Sequence, residues 1–168
     1  FDFEIYDYDL ERSSLVSKRY DVNALKDLKN IDYRKYQIVV IATPTHTHAY
    51  YLRKLLEQPP DLIICEKPVS TNLFELKALE DLYLNNKTRV FINYQRTFQP
   101  KIIQLKNAIN KIKAIKKINN VVVTYQGGIQ NNASHSLDLL SYLLDLKYDS
   151  IKEIKFNSFN REIIGDTT

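Results

Sequence analysis

Two rhythms of apolar and polar residues alternate along this chain. Gln37 to Ala42 is a continuous β-branched run, as expected of a strand buried on both faces. Asp61 to Cys65 repeats that pattern, and Arg89 to Tyr94 gives a third strand. Between them the spacing turns helical. Thr43-Pro44-Thr45 breaks the first strand, a helix is expected over His46 to Glu57, and Pro59-Pro60 ends it. Ser70 or Thr71 is the expected cap of a helix over Asn72 to Leu84, whose Leu73, Leu76, Leu79 and Leu82 recur at helical spacing. Asn85-Asn86-Lys87 then turns the chain. Upstream, Phe3 to Tyr6 reads as a strand ending at Asp7 and Asp9. Leu10 to Tyr20 reads as a short helix, and Asn23 to Leu28 as another with Asn23 as its N-cap. Strands alternating with helices predict an α/β fold, a parallel sheet with right-handed crossovers.

The rhythm changes near Pro100. Lys101 to Ile112 reads as one amphipathic helix, and Lys116 to Gln126 alternates like a solvated strand around Val121-Val122-Val123. Gly127-Gly128 makes a turn, Asn132 to Leu144 a helix, and Ile151 to Asn157 another alternating strand. A domain boundary is therefore expected at Thr97 to Pro100. It separates a parallel α/β part, residues 1–97, from the start of an α+β domain, residues 98–168.

Composition narrows the function classes. The 168 residues carry 24 basic and 20 acidic side chains, a net charge of +4. The lysines are scattered except for Lys111, Lys113, Lys116 and Lys117, which close a helix where cations suit its dipole. No aromatic stacking platform lies beside them, so a nucleic-acid surface is not expected. No apolar run approaches the length of a membrane helix. The single cysteine, Cys65, sits inside an apolar strand and reads as a core residue, which fits a reducing, cytoplasmic setting.

The candidate chemistry lies where strands end. Asp7, Thr43-Pro44, Glu66-Lys67-Pro68 and Asn93 to Arg96 all follow predicted strands, and open α/β sheets bind ligands at those carboxyl ends. A charged pair closed by proline is costly to place beside a buried strand for stability alone. Lys67 is therefore a candidate catalytic group. Asp7 by itself reads equally as a turn or N-cap residue. His46 and His48 read more readily as surface or capping residues than as metal ligands, since no further Cys or Glu has matching spacing. His135 and Asp138 stand three apart on one helix face.

The order of these motifs resembles the glucose–fructose oxidoreductase / inositol dehydrogenase (Gfo/Idh/MocA) family of NAD(P)-dependent sugar and cyclitol dehydrogenases. The carriers are Thr43-Pro44 with Glu66-Lys67-Pro68, Asn93-x-x-Arg96-x-x-x-Pro100, and the His135-x-x-Asp138 helix, over roughly Phe3 to Asn157. The resemblance implies a partial doubly wound, Rossmann-like sheet over 1–97, followed by the start of a substrate domain. It also implies roles. Asp7 would bind the adenosine ribose and favour NAD over NADP. Thr43, Pro44 and His48 would line the dinucleotide cleft, and Glu66 would sit near the nicotinamide ribose. Lys67 would hydrogen-bond the reacting hydroxyl, and His135 would take its proton, as a neutral imidazole can near working pH. Asp138 would orient a substrate hydroxyl or the histidine, and Arg96 would lie beside nicotinamide or substrate. The partner is a small sugar or cyclitol, and the family implies a homo-oligomer. A non-catalytic relative that binds a sugar or nucleotide is the rival reading.

Two departures from the family pattern qualify this. Asn131 stands where a carboxylate is frequent, and Ala133 where a glycine is frequent. The Asn131 replacement resembles members acting on nucleotide-linked or polysaccharide sugars and makes Asn131 a candidate substrate contact. The sequence also has no methionine and opens on a strand. A first strand with a glycine-rich phosphate loop is expected ahead of Phe1, and these 168 residues alone are expected to bind dinucleotide poorly.

Overall fold

The computed structural model describes residues 2–125 and 132–146. The chain divides into two compact units, Phe1–Ile92 and Asn93–Thr168. The sequence-based boundary falls slightly later, after the tip of the last strand.

The first unit opens with β1 (Glu4–Ile5), α1 (Leu10–Tyr20) and β2 (Asn23–Ala24). Asp9 caps α1, accepting both the Glu11 and Arg12 amides at 3.1 Å. Asp21 ends α1 at φ 53°, a left-handed conformation that Asp tolerates better than most side chains. This stop turns the chain straight into β2 and overturns the expected helix over Asn23 to Leu28. The backbone there pairs in parallel with β1, with Asn23 N–H donating to Phe3 O (3.3 Å) and Leu25 N–H to Ile5 O (2.8 Å). The Asn23 side chain reaches across to Glu4 Oε1 at 2.8 Å instead of capping a helix.

A three-stranded parallel sheet follows, β3 (Ile38–Ile41), β4 (Leu62–Cys65) and β5 (Arg89–Ile92), in that order. The register aligns Ile41 with Cys65 and Cys65 with Ile92, so the three carboxyl ends are level. Helices α2 (Thr45–Glu57) and α3 (Leu73–Leu84) connect the strands. α2 buries His48, Leu52, Leu55 and Leu56, one helical stripe. That stripe meets Ile41, Ile63, Cys65 and Leu79 in the core. Full burial of such aliphatic side chains is worth about 1.5–3 kcal/mol each. α3 is capped by Asn72, which accepts the Phe74 amide at 2.9 Å, and not by Ser70 or Thr71. Ser70 instead accepts the Asn72 amide at 3.0 Å, two residues upstream of the cap. Of the four leucines read as a stripe on α3, only Leu79 is buried.

The expectation that β3 is buried on both faces also fails. Ile41 is buried, but Ile38 and Val40 are about half exposed, at 53% and 55%. Among the described residues β3 pairs only with β4, and β1 only with β2. A largely apolar slot of about 430 Å³ separates β1 from β3 and is lined by Ile5, Tyr36, Ile38 and Val40 among others. Tyr36 donates its hydroxyl hydrogen bond to Glu4 across this slot, and that bond is the main reason the Glu4 carboxyl lies below its usual range.

The second unit contains a 3-10 turn at Gln95–Phe98, α4 (Pro100–Ile115) and α5 (Ser134–Leu144). Pro100 starts α4, where a missing N–H costs nothing. Lys106 and Lys113 of α4 both reach Asp145 at the end of α5, at 2.7 and 3.1 Å. Lys113, read from sequence as one of the lysines that close a helix, thus joins two helices. The expected strand over Lys116 to Gln126 does not form across its described part: residues 117–125 have no regular structure, and Val122 is 89% exposed. No partner strand lies beside it among the described residues, and alternation alone cannot satisfy a lone strand's backbone. Gly127-Gly128, Asn131 and the strand expected over Ile151 to Asn157 lie outside the described residues.

Candidate functional site

In the first unit, three chain segments leave the level carboxyl ends of β3, β4 and β5. The β3–β4 ladder extends one rung beyond the strands through Glu66 N–H to Ile41 O, 2.9 Å. Glu66 and Lys67 follow that rung, both half-buried, so neither charge is fully removed from water. The Lys67–Pro68 peptide is cis. Beneath them Cys65 is fully buried, and burial pushes its thiol up to about 12, with the Glu66 charge adding to the effect. Cys65 is a core residue, as the apolar run suggests.

The Thr43-Pro44 turn is fixed by the start of α2. Thr47 Oγ1 lies 2.7 Å from Thr43 Oγ1 and 2.8 Å from Pro44 O, and the Thr47 amide donates to Pro44 O at 2.9 Å. These bonds stand in for the side-chain cap that proline cannot give α2. Pro44 is exposed and Thr43 half-buried, so both can present surface to a ligand.

His48 differs from its expected place. Its ring is 2% exposed, so it does not line the cleft as an open surface. Its Nε2 lies 2.6 Å from Thr43 O and its Nδ1 2.8 Å from Pro68 O. Helical spacing puts position 48 on the same stripe as Leu52 and Leu55, which is the signal that marks it as buried. His46, by contrast, is exposed.

Asp7 stands two residues past the end of β1. Its Oδ1 accepts the Asp9 amide at 2.9 Å, and its Oδ2 lies 3.8 Å from Arg12 Nη1. The carboxylate is only partly covered, so it keeps acceptor capacity for hydroxyl groups. Arg12 is a neighbour the sequence reading did not name. Its place on the first turn of α1, capped by Asp9, is the signal that could have found it.

In the second unit, His135 and Asp138 lie on the first two turns of α5. The His135 ring meets Tyr94 edge-on, with centroids 5.6 Å apart and planes at 85°. Asp138 Oδ2 is buried and has no hydrogen-bond partner among the described residues. Burial raises the Asp138 carboxyl above its usual range. An acceptor without a donor is what a hydroxyl-bearing ligand would satisfy. Arg96 sits exposed in the 3-10 turn after β5. Tyr94 was not singled out from the sequence, because an aromatic after a strand carries no signal of its own.

The site residues fit the ribose and nicotinamide ends of a dinucleotide better than its pyrophosphate. Asp7 offers acceptors for hydroxyls at one strand tip, and Lys67 offers a donor at another. The sequence has 3 glycines and no G-x-G-x-x-G among them, so no residue here is assigned to the phosphates.

Comparison with known proteins agrees with the fold. Residues 3–94 match the family described as "Oxidoreductase family, NAD-binding Rossmann fold". Inositol 2-dehydrogenase of Rhizobium meliloti (strain 1021) is 25% identical over 137 residues, which is 73% of this chain and 39% of that protein. An oxidoreductase from Agrobacterium radiobacter, solved with NAD+, L-tartaric acid and magnesium, superposes with a TM-score of 0.69 at 20% identity, covering 84% of this chain and 46% of that one. Levoglucosan dehydrogenase, solved with NADH and levoglucosan, gives 0.68 at 22% identity over 83% of this chain and 44% of its own. The chain thus spans less than half the length of these relatives.

Proposed function

This chain belongs to the Gfo/Idh/MocA oxidoreductase family with an NAD-binding Rossmann fold, and on that premise we propose that its protein is a dehydrogenase of a sugar or cyclitol hydroxyl. The observation that carries the reading is Lys67, held one residue past the β3–β4 ladder at a strand carboxyl end. Bound NAD supplies the acceptor for the hydride that leaves the hydroxyl-bearing carbon. Lys67 donates a hydrogen bond to the reacting oxygen and stabilises negative charge as the proton departs. His135 accepts that proton, and in the reverse direction returns it to the carbonyl oxygen. Asp138 accepts a hydrogen bond from a neighbouring substrate hydroxyl, which relieves its buried oxygen. Asp7 accepts from the adenosine ribose, and Thr43 and Pro44 border the dinucleotide. With the cofactor bound, Arg96 would meet nicotinamide or substrate, and Glu66 the nicotinamide ribose. The roles of His135, Asp138, Arg96 and Glu66 rest on the family resemblance of their motifs.

The test is Lys67→Ala in the complete protein, with turnover followed by nicotinamide absorbance on a panel of sugars and cyclitols. Loss of one donor to a developing oxyanion predicts a fall of about 10²–10³ in kcat. An unchanged kcat would remove Lys67 from the mechanism. Cofactor binding without turnover in the wild type would favour the rival reading of a non-catalytic sugar- or nucleotide-binding relative.

A further inference from the structure

We propose that His48 is a positioning residue for Lys67, a clasp inside α2 that ties the loop after β4 to the exit of β3. The proposal deepens the reading above, because it rests on Lys67 acting at the reacting oxygen.

The main-chain ladder between β3 and β4 carries as far as the Glu66 amide on Ile41 O, 2.9 Å. Two residues further on, a side chain links the same two segments. The His48 ring stands between Thr43 O, 2.6 Å from Nε2, and Pro68 O, 2.8 Å from Nδ1. Thr43 is two residues past the end of β3, and Pro68 is the residue after Lys67. The ring therefore bridges the two tips that flank the candidate cleft.

The other end of the clasp is equally fixed. His48 is the fourth residue of α2, and its backbone is committed to the helix. Thr47, beside it, holds the Thr43-Pro44 turn through its hydroxyl and amide. One helix start thus holds the Thr43-Pro44 turn directly through Thr47, and meets the Thr43 and Pro68 carbonyls through the imidazole. The ring is 2% exposed, so water cannot replace these bonds when they are lost. Both partners are acceptors, so each bond needs its own ring N–H, and the ring ties both carbonyls at once only with hydrogen on both nitrogens. A core-filling aromatic has no need of two opposed carbonyls, and a leucine would suit the stripe formed by Leu52 and Leu55 just as well.

The consequence falls on Lys67. Its Cα is bracketed by Glu66, tied to β3 through the ladder, and by Pro68, tied to α2 through His48. Fixing both flanking residues sets the direction in which the lysine side chain leaves the backbone. Misplacement of a reacting group by about 1 Å can cost about 10²-fold in rate.

The experiment has two arms. In the 168-residue chain, backbone amide exchange is compared between wild type, His48→Phe and His48→Gln. His48→Phe is expected to speed exchange at Lys67 and Val69 about tenfold while Ile63 and Ile64, inside β4, keep their protection. His48→Gln, which retains a donor, is expected to restore part of it. Unchanged exchange at Lys67 and Val69 in a folded His48→Phe chain overturns the proposal. Should His48→Phe fail to fold, the wild-type ring decides: a slowly exchanging Nδ1–H coupled to the Pro68 carbonyl supports the clasp, and its absence overturns it. In the complete protein, His48→Phe is expected to lower kcat about 10²-fold with little change in the KM for NAD, and His48→Gln to recover part of kcat. A change in KM alone would overturn the positioning role. If the wild type turns over no sugar or cyclitol with NAD, the dehydrogenase reading fails, and the exchange arm still judges the clasp by itself.

Discussion

Asp138→Asn is predicted to make the free protein more stable and the enzyme slower. Oδ2 of Asp138 is buried without a partner among the described residues, and burial raises its carboxyl above the usual carboxylate range. A buried polar atom left without a bond costs about 1–3 kcal/mol. Asp138 is only partly buried, so solvent screening puts the expected gain at the low end, about 1 kcal/mol, or about 2–4 °C in Tm for a chain of this size. Asparagine keeps the shape and a polar atom but removes the charge, so the gain comes from no longer burying a charge. The pH dependence follows from the sign of the shift. With its folded pKa raised, the wild-type carboxylate binds a proton more readily when folded, so stability falls as pH rises from the ordinary carboxylate value through the raised one. The variant does not titrate there. Its advantage is therefore present near neutral pH and fades at about pH 4 and below. Thermal unfolding followed by circular dichroism at both pH values reads the difference directly, and pH effects elsewhere in the chain cancel in it. On the proposed reading of Asp138 as a substrate contact, the same exchange in the complete protein is expected to reduce kcat by about 10²-fold. A variant no more stable than wild type at neutral pH, or one whose gain is the same at both pH values, would refute the reasoning.

Two further outcomes follow from the fold. Cys65 is fully buried with its thiol pushed up to about 12, so iodoacetamide at about pH 8 should modify it only through opening of the sheet, at a rate that rises with urea; alkylation of the native chain at the rate of a free thiol would contradict the core assignment. Asn72→Ala should cost about 1 kcal/mol by freeing the Phe74 and Glu75 amides, read as a lower urea midpoint at unchanged slope, whereas Thr71→Ala should leave the midpoint in place; the reverse result would return the cap to Thr71.

The strand tips were legible in the sequence because backbone pairing fixes them locally. Runs such as Leu62 to Cys65 are short, apolar and closed by charge or proline, and parallel register then levels their ends whatever the loops contain. Asn23 was not legible for the opposite reason. Its local preference is to cap a helix, but the αL stop at Asp21 and the edge of β1 offer its backbone a ladder, and tertiary pairing overrides a preference worth about 1 kcal/mol. The exposed face of β3 is a matter of neighbours: a β-branched run shows that a strand can be buried on both sides, and only the surrounding elements decide whether it is.

The same distinction explains the two residues whose roles changed most. Position 48 reads locally as an early helical histidine, a surface or capping residue; its meaning lies in Pro68, 20 residues away, which no spacing rule connects to it. Arg12 is the converse case, where local structure brings a cation to Asp7. An arginine at this tip would favour a 2′-phosphate if it outweighed the carboxylate. The pair is 3.8 Å apart with Arg12 65% exposed, a separation and exposure at which ion pairing in water contributes little. The long side chain is free to swing away, while Asp7 is pinned by the Asp9 amide and stays at the end of β1. The fixed charge at the tip is therefore negative, which suits a hydroxyl donor beside Asp7 better than a phosphate.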